Sequence, residues 1–177
     1  MKKILLSLFV SASLIACTNQ ENKAETKVET IIDSTKGSVT STGPDVDLIK
    51  KCITAFANGD WATYASCYAD TAKAFHNVWS LSTDTSLGVR IPQLIEGFKK
   101  QREIADGNIT LGGTIYEVLT MADGNKYGHL WVEMSWKLKK GDVKKMVLFN
   151  SYGINKDGKI TYEWPIYDTK DVVKVAP

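Results

Sequence analysis

The spacing of apolar positions changes once along the chain, and that change divides the sequence. From Asp45 onward, Leu48, Ile49, Cys52, Ile53 and Phe56 fall on one helical stripe. Asp45 is placed to cap that helix, and Asn58-Gly59 to end it. Asp60 can cap a second, shorter helix carrying Trp61, Tyr64 and Tyr68. "KAFHNVW" (73–79) reads as a first strand. Ala74, His76 and Val78 then share one face and Phe75, Asn77 and Trp79 the other, and either face can look inward. "SLSTDTSLG" is a loop. Residues 91–105 form a third helix with Pro92 in its first turn and Ile91, Leu94, Ile95 and Phe98 along one side.

After Gly107 the period becomes two. Four strands follow, 109–121, 126–138, 143–155 and 159–167, joined by "ADGN", "KKGD" and "NKDG", the residue types of hairpin turns. Helices followed by an antiparallel meander predict an α+β domain with its helices on one face of the sheet. Strand 126–138 sets Leu130, Val132, Met134, Trp136 and Leu138 against Tyr127, His129, Trp131, Glu133 and Ser135. Strand 143–155 similarly sets Met146, Leu148 and Tyr152 against Val147 and Phe149. A sheet covered on one side would show a polar second face. The second face here is aromatic, so it too calls for a cover. A second copy of the chain is the economical one, giving a homodimer through the outer sheet face, and the N-terminal segment or C-terminal tail is the alternative. In the dimer His129 and Glu133 would make a cross-subunit polar contact. On the last strand Tyr162 and Trp164 share a face with Ile160 and Ile166, a face able to line an interior. Pro165 suits an edge or a bulge.

The N-terminus carries a separate signal. Lys2 and Lys3 precede an apolar run from Ile4 to Ile15, shorter than the roughly 20 residues of a membrane span. The run ends in "LIAC", which resembles the lipobox of bacterial lipoproteins, with Cys17 as the acylated residue. The alternative is an ordinary secretory signal cut near Ala16. The expected organisation is a signal peptide over 1–16, then a lipidated Cys17 and polar tether over 17–44, then one domain over 45–177. The anchor places the protein on a membrane of the cell envelope. Thr18, where inner-membrane lipoproteins often carry aspartate, leans toward the outer membrane.

Composition narrows the partners. Removing the signal lowers Lys+Arg from 22 to 20, equal to Asp+Glu at 20, so no general attraction to nucleic acid remains. The basic run "KLKKGDVKK" (137–145) surrounds a turn and reads as a solvated hairpin tip. His76 and His129 are far apart and lack cysteine companions, so no metal is called for, and no motif asks for a cofactor. Cys52 and Cys67 fall on successive helices, where either a disulfide or two buried thiols would fit.

"GDWATYASCYADTAKAFHN" and the closing "DGKITYEWPIYD" resemble the SnoaL-like branch of the NTF2-like superfamily, over roughly residues 46–168. The resemblance implies a cone: a curled antiparallel sheet with three helices on its concave side, enclosing an apolar pocket and often dimerising through the outer face. The superfamily includes ketosteroid isomerases, polyketide cyclases, dehydratases and binding domains, so the fold alone does not fix an activity. Where the isomerases carry a general-base aspartate after the Tyr-Ala-Asp turn, this chain has His76. Histidine can serve as a base near neutral pH. Tyr64, Tyr68, Asn150 and Trp79 are the hydrogen-bond donors the resemblance points to, and Asn77, Trp136, Tyr162 and Trp164 are further candidates for the pocket wall. Three functions follow: an anchored module binding a small apolar or aromatic ligand, an isomerase or cyclase with His76 as base, or an envelope scaffold whose outer face binds another protein.

Overall fold

A computed structural model of the chain describes residues 37–76 and 88–167. The signal, Cys17, most of the tether, Asn77 and Trp79 lie outside the described residues.

The first helix, α1, spans Pro44–Asn58. Its N-cap position is Gly43, two residues ahead of the expected Asp45 cap, because Pro44 supplies the fixed φ that suits a first turn. Asp45 lies inside that turn, where its carboxylate accepts from Lys126 Nζ at 2.6 Å and complements the helix dipole. Gly59 ends α1 in the left-handed conformation at φ 71°. Helix α2, Trp61–Ser66, is capped by Asp60, whose Oδ1 accepts from the Thr63 N–H at 3.0 Å.

Strand β2, Tyr68–Ala74, starts and ends earlier than the expected 73–79. Tyr68 therefore opens a strand instead of closing the second helix. The reason is long-range pairing. The Ile160 N–H donates to the Cys67 carbonyl at 2.9 Å, and Tyr68 pairs with Ile160, so the last strand captures the chain as soon as α2 ends.

The remaining elements are β1 (Ser38–Thr40), β3 (Val89–Arg90), α3 (Ile91–Glu103), β4 (Ala105–Thr120), β5 (Lys126–Leu138), β6 (Val143–Ile154) and β7 (Ile160–Tyr167). Strand β1 comes from the segment expected to be tether, and pairs with the end of β4. The sheet order is β1-β4-β5-β6-β7-β2-β3. All pairings are antiparallel except β2 with β7, which is parallel, so the sheet is mixed and not wholly antiparallel as expected. Among the described residues the architecture is α+β, a curled, unclosed sheet with three helices.

The inner face of β5, from Leu130 through Val132 and Met134 to Leu138, is buried as its alternation predicts. Helix α1 packs Val46, Ile49 and Cys52, all fully buried, onto that side. Burial on this scale contributes about 1.5–3 kcal/mol for each large aliphatic side chain. The approach is close at Gly128, where a Cβ would stand 2.4 Å from Ile49 Cδ1.

On the outer face Ile115, Trp131 and Val147 are 63%, 47% and 62% exposed. Register places Ile115, Trp131, Phe149 and Ile166 in one row across β4 to β7. His129 on this face bonds Glu117 of the neighbouring strand through Nδ1 at 3.0 Å, a contact within the chain.

Candidate functional site

Strand β7 decides what the interior contains. Ile160 faces inward opposite Ile154, but the next rung pairs Gly153 with Tyr162, so Thr161 is an extra residue on β7. This bulge reverses the alternation. Glu163, Pro165 and Tyr167 then share the inner side with Tyr152, Asn150 and Leu148 of β6. Tyr162 and Trp164, expected to line the interior, are turned to the opposite face with Gly153 and Ser151. The Tyr162 ring lies over Gly153, where a Cβ would come within 2.4 Å of it.

Proline at 165 has a second effect. The Phe75 N–H donates to the Glu163 carbonyl at 2.9 Å. The next rung of that parallel ladder would need an N–H at residue 165, and Pro165 has none. Strand β2 therefore stops at Ala74, and His76 leaves the ladder with its ring in the cavity wall.

The cavity has a volume of about 380 Å³, within the range of small-molecule sites. Its walls are aromatic and aliphatic. Phe98 of α3 packs edge-on against Phe56 at a centroid distance of 4.8 Å and stacks on Trp61 at 6.2 Å. Trp136, Met146 and Leu148 of the sheet face them. Of the expected pocket residues, Tyr64, His76, Trp136 and Asn150 line the cavity. Tyr68 stands behind it as part of the hydrogen-bond network below.

At the floor is Glu163, only 3% exposed. Its carboxylate accepts from the Tyr68 hydroxyl and, at 3.3 Å, from Tyr64, and the two hydroxyl oxygens lie 2.9 Å apart. Asn150 donates its amide to the same carboxyl. These bonds favour the charged form, yet burial outweighs them and Glu163 is pushed above the usual carboxylate range. Burial also pushes the hydroxyls of Tyr64, Tyr68 and Tyr152 well up, so each stays protonated and available to donate. Sequence reasoning passed over Glu163. The signal that could have found it is a lone carboxylate flanked by aromatics inside an otherwise apolar closing strand.

His76 Nε2 lies 3.8 Å from Glu163 Oε1, and Nδ1 lies 3.2 Å from the Tyr167 hydroxyl. The first distance is too long for a hydrogen bond. Burial holds the imidazole down at about 4, so it is neutral at pH 7 and the two side chains do not form an ion pair there. A neutral ring with a carboxyl oxygen near Nε2 and a hydroxyl at Nδ1 is assigned the Nε2–H tautomer, with Tyr167 donating to Nδ1. His76 is thus in the pocket as expected, but burial makes it a poor base and a good neutral donor.

Cys52 and Cys67 are both buried free thiols. They are hydrogen-bond partners, and the Cys52 sulfur lies 3.4 Å from the Tyr68 hydroxyl, which extends the network from the floor into α1. Among the described residues no group of three His, Cys, Asp or Glu is arranged to hold a metal.

No family model and no curated protein matches the sequence. Solved structures do. An NTF2-like protein from Burkholderia xenovorans aligns at 16% identity and TM-score 0.54, over 75% of this chain and 95% of that one. RV0760c from Mycobacterium tuberculosis, solved in complex with estradiol-17beta-hemisuccinate, aligns at 12% identity and TM-score 0.54, over 73% and 98%. The pinacolase BvnE from Penicillium brevicompactum aligns at 11% identity and TM-score 0.57, over 71% and 84%. At these identities the likeness is one of architecture, and the bulged, Pro-interrupted closing strand of this chain builds its cavity within it: the chain has the NTF2-like fold.

Proposed function

We propose that the cone binds a small hydrophobic or aromatic ligand and that Glu163, with His76 beside it, makes the floor an acid–base site. The cavity and its aromatic walls support the binding half. The carrying observation for the second half is a fully buried carboxyl whose proton affinity is raised and which faces a neutral imidazole at 3.8 Å. Such a carboxyl is a stronger base than an exposed one, and a neutral imidazole N–H can polarise a ligand carbonyl. The reaction class is proton transfer at carbon next to a carbonyl, as in an isomerase or cyclase. Glu163 takes the proton and His76 Nε2–H faces the oxygen. The base role expected at His76 thus moves to Glu163.

Deuterium exchange into the α positions of 2-tetralone, followed by NMR in D2O, tests this reading. The protein should accelerate exchange, and Glu163→Gln should slow it by on the order of 100-fold while 2-tetralone still binds. Binding with no acceleration over solvent would leave a binding protein and remove the catalytic half.

We also propose that the chain is anchored in the cell envelope through Cys17, on the strength of "LIAC", and pairs with a second copy through the Ile115–Trp131–Phe149 face.

A further inference from the structure

Two buried side-chain atoms have no hydrogen-bond partner among the described residues, His76 Nε2 and Asn150 Oδ1, and both residues line the cavity. Asn150 is 4% exposed. Its amide orientation is fixed by its neighbours. The Nδ2 group is set against the Glu163 carboxyl, which accepts, and this leaves Oδ1 as the end without a protein partner. The two orphaned atoms flank the same carboxyl group, His76 Nε2 at 3.8 Å from it and Asn150 hydrogen-bonded to it.

The two atoms are chemically complementary. Asn150 Oδ1 accepts, and His76 Nε2–H donates. One hydroxyl satisfies both, its oxygen accepting from Nε2 and its hydrogen going to Oδ1. A ketone or an ether oxygen can serve His76 only and leaves Oδ1 unpaired. An anionic head group is disfavoured, since it would stand beside Glu163. The lining cation, Arg102, is tied to the Ala57 and Gly107 carbonyls at 2.6 and 3.2 Å.

We propose that the ligand is an uncharged aromatic or alicyclic alcohol or phenol whose hydroxyl sits between His76 and Asn150 while its apolar body fills the cavity. This rests on the binding half of the proposed function alone: the hydroxyl takes the place at Nε2 that the catalytic half gives to a carbonyl oxygen, so a ketone such as 2-tetralone still enters the cavity but as the weaker ligand. Sites built to bond a hydroxyl discriminate strongly against analogues lacking it, because the buried partners are then left unpaired.

Calorimetric titration of the full-length protein with 2-naphthol, 2-methoxynaphthalene and 2-acetylnaphthalene tests the inference on the wild type, without relying on a variant to fold. The expected result is affinity for 2-naphthol at least about tenfold above either analogue. Asn150→Leu should shrink that ratio to less than about threefold. Comparable affinities for all three would overturn the hydroxyl inference and leave the binding reading standing. Binding of none of them would overturn both.

Discussion

Glu163 Oε1 and His76 Nε2 face each other at 3.8 Å across the cavity floor, and two features of β7, the Thr161 bulge and Pro165, account for the meeting. Pro165 ends the parallel ladder after Phe75 and releases His76 inward, and the Thr161 bulge turns Glu163 to the same side. The predictions below all concern this floor or the sheet that carries it.

Removing the Glu163 carboxyl altogether strands its donors. Glu163→Ala leaves the Tyr64 and Tyr68 hydroxyls buried without their common acceptor. The expected loss is on the order of 3 kcal/mol in urea unfolding. Glu163→Gln keeps one acceptor oxygen in place and should cost less than half as much, so a loss equal to that of alanine would contradict the network described.

The two buried groups pull stability in opposite directions with pH. His76 binds its proton at about 4 in the fold and near 6.5 unfolded. Between those values the unfolded chain holds the extra proton, so this group's contribution falls as the pH drops from 6.5 to 4. The full swing is up to about 3 kcal/mol. Glu163 is raised in the fold, so its contribution is present below about 4.5 and is lost as the pH rises through its folded value. Stability of wild type relative to His76→Gln should therefore decline on acidification, and relative to Glu163→Gln should decline on alkalinisation. Parallel curves for wild type and either variant would contradict the assignment for that group.

Much of the fold was legible in the sequence because its signals are local. The α1 stripe, the Asp60 cap, the three hairpin turns and the inner face of β5 follow from periodicity and turn chemistry within a few residues. What the sequence hid is set by distant partners. Strand β2 begins at Tyr68 because Ile160 pairs there, and no window around residue 68 contains that information. The site was half legible for the same reason. His76, Tyr64 and Asn150 follow from strand position and resemblance, whereas one extra residue at Thr161 exchanged Tyr162 and Trp164 for Glu163 and Tyr167. A bulge is defined by pairing, so strict alternation along β7 points to the wrong face.

The sheet and α1 come close at Gly128. A methyl group there meets Ile49, itself fully buried, so overpacking should cost Gly128→Ala about 1–3 kcal/mol. Thermal unfolding measures it. A second substitution, Ile49→Val, should recover part of the loss by opening space at that contact, and no recovery would place the strain elsewhere.

The outer face gives a prediction separable from the cavity. Sedimentation velocity on the wild type should show a dimer, and Trp131→Glu with Val147→Glu should convert it to a monomer with naphthol affinity changed less than about twofold. Side chains so exposed in the monomer carry little folding energy, so the doubly charged variant should still fold. A monomeric wild type would remove the self-association proposal and leave the cavity account untouched.

The most direct test is the protonation state of His76, read by 15N NMR of the imidazole nitrogens at pH 7, with His129→Gln assigning the two histidines. The account predicts a neutral ring with its proton on Nε2, remaining neutral until the pH approaches about 4. An imidazolium at pH 7 would contradict it: His76 and Glu163 would then be a structural ion pair, and the floor would hold neither a free base nor a neutral donor.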